Sequence, residues 1–128
     1  MSLIAITETV ALSKKESELY VSIAEDILGK KYECSLVVCG DYLSQKMNKK
    51  FRKKTYVPNV LSFPLDSKSG EMFLNIRKSD KESHKYEHSK STHRIFLLIH
   101  GLLHLKGLDH GATMEKAEQT YLKKYTNA

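Results

Sequence analysis

Apolar residues along this chain recur at two different spacings, and the changes between them divide it into strands and helices. Leu3 to Thr7 is a short β-prone run and predicts an opening strand. Ser13-Lys14-Lys15-Glu16 has the form of a capping box, and Leu19, Tyr20, Ile23, Ala24 and Ile27 then recur at helical spacing until Gly29. Tyr32 to Cys39, rich in β-branched and apolar residues, predicts a second strand. Gly40-Asp41 opens a helix with Leu43, Met47 and Phe51 four apart, and Pro58 punctuates its end. Asn59 to Pro64 reads as a strand closed by proline, and Gly70 to Ile76 as the next. Residues 77–89 are polar and charged without a period and predict a loop. A helix is expected from Ser91 to Leu105 and a last one over Thr113 to Tyr125. This order predicts an α+β fold, a small mixed sheet covered by helices, and 128 residues suit a single domain over 1–128.

The helix expected to end at Leu105 carries the distinctive chemistry. His100 and His104 lie four apart, so on a helix of ~3.6 residues per turn both imidazoles project from one face toward a single ion. Gly107 can end that helix in a left-handed conformation, and the reversed chain brings His110 back as a third ligand. Three nitrogens leave one tetrahedral position open, as in a catalytic zinc site. A divalent ion so held keeps its charge and can activate water or polarise a phosphoryl oxygen. Leu102, Leu103 and Leu105 fill the other faces as core. His93, seven residues before His100, reads as a partly exposed histidine without a role.

The offsets of His100, His104, Gly107 and His110 match the zinc-protease pattern H-E-x-x-H-x-x-G-x-x-H, except that Gly101 stands where the glutamate base belongs. Loss of a general base typically costs ~10²–10⁴-fold, which ranks a metalloprotease-like hydrolase third. Phosphodiester cleavage instead needs positive charge on the transition-state oxygens, and the chain is basic. Lys and Arg outnumber Asp and Glu by 21 to 15, for a net charge of +6. Lys46, Lys49, Lys50, Arg52, Lys53 and Lys54 occupy six of nine consecutive positions. Arg52, with its planar fork of donors, is the best candidate for a catalytic cation, and the five lysines suit salt-dependent contacts with the phosphates of a nucleic acid. Asn48 shares a helix face with Arg52. Few exposed aromatics are expected beyond the tyrosines, which makes base stacking a lesser contribution.

Cys34 and Cys39 sit an odd five residues apart in one strand, pointing to opposite faces, and read as reduced thiols of a cytosolic protein. Met1 to Thr7 lacks the basic start of a secretion signal, and the most apolar stretch, Ile95 to Leu105, falls short of the ~20 residues that span a bilayer.

Two segments together resemble the YbeY family of bacterial endoribonucleases. They are Asn48 through Arg52 to Asn59-Val60-Leu61-Ser62-Phe63-Pro64, and His100-Gly101-Leu102-Leu103-His104-Leu105-Lys106-Gly107-Leu108-Asp109-His110. The resemblance implies a metal-dependent, single-strand-specific endoribonuclease acting in cytoplasmic 16S rRNA 3′-end maturation and 70S ribosome quality control. Its partners would be ribosomal RNA and the small ribosomal subunit. It maps the family's metal histidines onto His100, His104 and His110, with Zn2+ the default ion, and its important arginine onto Arg52. Asp109 either orients a ligating histidine from behind or caps the last turn. Asn59 and Ser62 either line a groove beside the metal, or Val60, Leu61 and Phe63 form a core strand in which Ser62 only satisfies backbone groups. Leu108, Glu71 and Pro58 depart from residues usual in the family and bear on substrate preference. The alternative reading is a non-catalytic, ribosome-associated maturation factor with a structural metal.

Overall fold

Cys34, Leu36 and Val38 point to one side of a strand and Val37 and Cys39 to the other, and apolar partners meet both sets. In the computed structural model of the chain, which describes residues 2–126, this strand, β2 (Glu33–Cys39), lies parallel to β1 (Ile4–Glu8) on one side and to β4 (Ser69–Asn75) on the other. β3 (Val60–Asp66) runs antiparallel to β4 at the far edge, giving the order β1-β2-β4-β3. On one face α1 (Lys14–Leu28), α4 (Lys90–Lys106) and α5 (Ala112–Tyr125) contribute to the larger core with Leu36, Val38, Met72 and Leu74. On the other, Leu43 and Met47 of α2 (Asp41–Arg52) pack on Cys39, Leu61 and Phe73. The fold is α+β with a four-stranded mixed sheet, as the alternation of elements predicts. Both cysteines are free and buried on opposite faces, and burial pushes each thiol up to about 11.

α4 is the element on which the others converge. Ser89 caps it, accepting from the Thr92 amide at 3.1 Å, and the helix packs against α1, α3 (Ile76–Glu82), α5 and β3. Its approach to the sheet depends on Gly101. A Cβ there would overlap the Met72 methyl and lie 2.9 Å from Val60 Cγ2, so a larger residue would force these side chains or the helix to shift. The Ser62 hydroxyl donates to the Gly101 carbonyl at 2.8 Å, pinning the same point.

Several expectations are corrected. Residues 77–89 are not a loop: α3 occupies Ile76–Glu82, and a 3₁₀ turn follows at Ser83–Tyr86. The segment lacks apolar periodicity because polar bonds hold it. Asn75 caps α3 by accepting from the Lys78 amide, and Asp80 takes two hydrogen bonds from Arg94 at 2.7 and 2.8 Å. Glu16, expected to complete a capping box with Ser13, pairs with Arg94 at 2.9 Å and so joins α1 to α4. In α2 the apolar row is only half-buried, Phe51 is 56% exposed, and the buried positions are Ser44 and Asn48. α2 ends in left-handed Lys53, well before Pro58, whose carbonyl accepts from Ser44 and Asn75. β3 runs on through Pro64 to Asp66, because an edge strand tolerates a missing amide, with an irregularity between Pro64 and Asp66.

His93, expected to be partly exposed, is fully buried. Its Nδ1 lies 3.1 Å from His88 Nδ1, its Nε2 3.7 Å from a Glu82 carboxylate oxygen, and the Tyr86 ring stacks on it at 4.6 Å. Burial above all, then the positive charge of His88, pushes its pKa below the ordinary imidazole value, against the pull of Glu82.

Two predictions follow from this packing. Gly101→Ala is expected to lower unfolding free energy by about 1–3 kcal/mol in urea titrations. An unshifted midpoint would mean that Met72 and Val60 yield without cost. Because the folded-state pKa of His93 lies below its unfolded value of about 6.5, its stabilisation is complete above that pH and is lost on acidification. His93→Phe should therefore flatten the fall of melting temperature between about pH 7 and 5.

Candidate metal centre

α4 supplies two of the site's side chains and the turn after it a third. His100 and His104 project together from its C-terminal half, with Nε2 atoms 3.2 Å apart. Gly107 then takes the left-handed conformation, φ 107°, and its amide donates to the Leu103 and His104 carbonyls, while the Leu108 amide donates to Leu103. The chain turns back, and His110 arrives with its ring centre 5.2 Å from that of His100 and 4.9 Å from that of His104. One nitrogen from each of the three lies within 4.8 Å of the others. This group can hold a metal ion. Two imidazole nitrogens at 3.2 Å repel one another as bare lone pairs and need a proton or a cation between them. The donor set fits a borderline-soft ion such as zinc.

The environment keeps lone pairs available. Burial, then the charges of His100 and His110, holds His104 below the ordinary imidazole pKa. His100 has its other nitrogen tied: Nδ1 is 2.8 Å from an Oε of Glu118, a carboxylate from α5 that is only 7% exposed. With the Nδ1 proton donated to Glu118, His100 presents Nε2 to the centre. Asp109, considered for that task, is exposed in the turn and acts on His104 through its charge. The turn itself is capped by backbone groups of Gly107 and Leu108. Glu118 lies eighteen residues from His100. Its only signal in the sequence is a carboxylate on a predicted helix, and nothing there says which face that helix presents.

Two clefts meet at the histidines. One, of about 440 Å³, is lined by Arg52, Asn59, Ser62, Pro64, His104 and Asp109, together with His100 and His110. Arg52 reaches this rim from the end of α2, its Nη1 donating to Asn48 Oδ1 at 3.1 Å and to the Tyr56 hydroxyl at 2.9 Å. Asn48 is fully buried and also donates to the Tyr56 carbonyl, so it positions Arg52 from below. The Ser62 hydroxyl is engaged with Gly101, which makes Ser62 a strut between strand and helix. Asn59 lines both clefts and donates to Glu82. Lys46, Lys49, Lys50, Lys53 and Lys54 are all exposed, and none lines either cleft; Lys46 and Lys49 border a separate hollow with Tyr42. Gly101 explains the lost glutamate: this position faces Met72 and Val60 in the sheet, where a side chain has no room.

Comparison with known proteins places this arrangement. Residues 5–126 match the family described as endoribonuclease YbeY. The chain belongs to the YbeY family. Among relatives bearing that description, one from Mesoplasma florum is 34% identical over 72% of this chain and 60% of its own length. One from Alkaliphilus metalliredigens is 29% identical over 85% of this chain and 76% of its own. The matched segments span about half to two thirds of several of these relatives. The solution structure of TM1509 from Thermotoga maritima superposes with a TM-score of 0.70 at 21% identity, covering 95% of this chain and 88% of that one, and so shares the fold.

Of the residues that the sequence singles out for substrate preference, Leu108 is half-buried against the main core and the Pro58 carbonyl anchors Ser44 and Asn75. Glu71 pairs with Ser35 and Phe63 on the neighbouring strands. Gly70 before it has no room for a side chain: a Cβ would lie 2.6 Å from the Tyr32 hydroxyl and 2.8 Å from Leu105. No helix among the described residues is long and apolar enough to cross a membrane.

The role of Glu118 is open to direct test. Glu118→Ala should weaken zinc binding by about 10–100-fold in competition with a chromophoric chelator, and Glu118→Gln, which retains an acceptor, by less. Equal affinities for all three proteins would remove Glu118 from the centre.

Proposed function

We propose that this protein is a metal-dependent endoribonuclease that cuts single-stranded RNA. The observation that carries the reading is the placement of Arg52 on the same cleft as three convergent histidines. His100, His104 and His110 would hold one divalent ion, with zinc the best match to three imidazoles. Bound there, the ion supplies Lewis-acid polarisation of a phosphoryl oxygen.

The protein's own groups do the rest. Arg52, steadied by Asn48 and Tyr56, presents its remaining guanidinium donors to phosphate oxygens as charge develops on them. Glu118 keeps the Nδ1 proton on His100 and so fixes the ring. The exposed lysines of α2 and the segment after it attract the RNA backbone from outside the cleft, a contribution that salt screens. Val60, Leu61 and Ser62 form the wall along which the strand would lie.

The family relationship supports ribosomal RNA as the substrate, with action on the small ribosomal subunit in 16S 3′-end maturation and in quality control of 70S ribosomes. The two free, buried thiols suit a reducing cytoplasm. One metal-dependent endoribonuclease domain over 1–128 is the organisation proposed.

End-labelled single-stranded RNA should be cut by the wild type. Arg52→Ala should lower the rate by about 10²–10³-fold with zinc affinity unchanged. His104→Ala should abolish both cleavage and tight zinc binding. Equal cleavage by wild type and both variants, or none by a folded, zinc-loaded wild type, would favour a non-catalytic maturation factor.

A further inference from the structure

The two clefts that meet at the histidines differ in chemistry. The first holds Arg52 and suits a phosphate. The second, of about 490 Å³, has no lysine or arginine in its lining; Tyr86, Phe96, Leu97 and Met114 form an apolar surface, and Asn59, Glu115 and Gln119 add polar groups. Away from the ion that the histidines would hold, a phosphate meets no lysine or arginine there and would face the carboxylates of Glu115 and Glu118. A flat, uncharged group with donors on its edge fits: the apolar surface takes its face, and the carboxylate and amides take its amino and imino hydrogens.

Tyr86 is built to receive such a face. It closes the 3₁₀ turn, followed by Glu87 in the left-handed conformation, whose amide returns to the Ser83 and His84 carbonyls. One side of the Tyr86 ring rests on the buried His93 imidazole at 4.6 Å and 27°, yet the residue stays 53% exposed. His93 meets His88 at 3.1 Å on its Nδ1 side, and Glu82, 3.7 Å from its Nε2, accepts from Asn59. An exposed aromatic with a rigid backing stacks on a ligand at small entropic cost. Asn59, His100 and His110 line both clefts, so a strand whose phosphate lies beside Arg52 has a neighbouring nucleotide within reach of the second.

From this geometry we infer that the cleft between Tyr86 and α5 is a nucleobase subsite, in which the base next to the reacting phosphate stacks on Tyr86 and meets Glu115 and Gln119 at its edge. The inference rests on the RNA reading above and adds where a base is read. It places base recognition on the opposite side of the histidines from Arg52.

The test separates the two readings by using RNA that cannot be cut. Fluorescence anisotropy would follow short 2′-O-methyl single-stranded oligonucleotides binding to the zinc-supplemented full chain, with abasic residues placed one position at a time. Tyr86→Ala is expected to weaken binding by roughly tenfold and Tyr86→Phe by less than about twofold, because the ring and not the hydroxyl stacks. In the wild type one abasic position should reproduce the tenfold loss, and in that oligonucleotide Tyr86→Ala should have no further effect. A wild-type scan with no sensitive position overturns the subsite even if Tyr86→Ala folds poorly, and so does an unchanged affinity in a folded Tyr86→Ala protein. Wild-type binding with this signature but no cleavage of natural RNA would instead break the nuclease reading and leave the subsite standing.

Discussion

The close seat of α4 on the sheet is the constraint on which the site depends. A helix with buried residues on all its faces has no free side, so its height over β3 and β4 decides where its last turn emerges. Gly101 sets that height by presenting no side chain to Met72 and Val60, and the Ser62 hydroxyl ties the helix carbonyl to the strand at the same level. Beside it His100 and, one turn on, His104 stand at the core's rim, half-buried, and the reversal at Gly107 starts where it can deliver His110. A side chain at position 101 would collide with Met72 and crowd Val60, so either these side chains or the helix itself must shift. The residue that replaces the glutamate of the zinc proteases is therefore a packing requirement of this fold, which explains why the protease pattern matches in spacing and fails in chemistry.

Around that seat, polar contacts fasten the elements to one another in addition to the apolar core. Arg94 joins Asp80 of α3 and Glu16 of α1 to α4 with short charge-assisted bonds. Asn75 and Ser44 share the Pro58 carbonyl, holding the segment between α2 and β3 against β4. Asn48, buried under α2, orients Arg52 and the Tyr56 carbonyl together. These buried amides and hydroxyls fix relative positions more sharply than alkyl contacts, because a hydrogen bond tolerates little displacement. The consequence is a rigid wall on either side of the histidines, with charge on one side and rings on the other.

Much of the fold and part of the site could be read from residue order. Every strand and four of the five helices were anticipated, since Leu36 and Val38, or Ile23 and Ile27, follow the spacing of the element they occupy. α3 escaped because its stabilisation is polar: the Asn75 cap and the Asp80 to Arg94 pair leave no hydrophobic period. The buried polar positions of α2 escaped for a related reason. Leu43, Met47 and Phe51 keep helical spacing, yet burial goes to Ser44 and Asn48, whose hydrogen bonds to distant backbone groups are invisible in one dimension.

The sequence by itself determined the three-histidine group, because local helix geometry and a helix-ending glycine bring together residues within eleven positions of one another. It also determined the alternation of elements and, through family motifs, singled out Arg52 as a candidate, which the structure places on the same cleft as the histidines. Only the tertiary structure decided that Glu118 backs His100, that Asn48 holds Arg52, that Ser62 is a strut and that His93 is buried under Tyr86. Each of these contacts depends on how separate elements pack, and the spacing of residues within an element carries no information about the side chain it will meet in another.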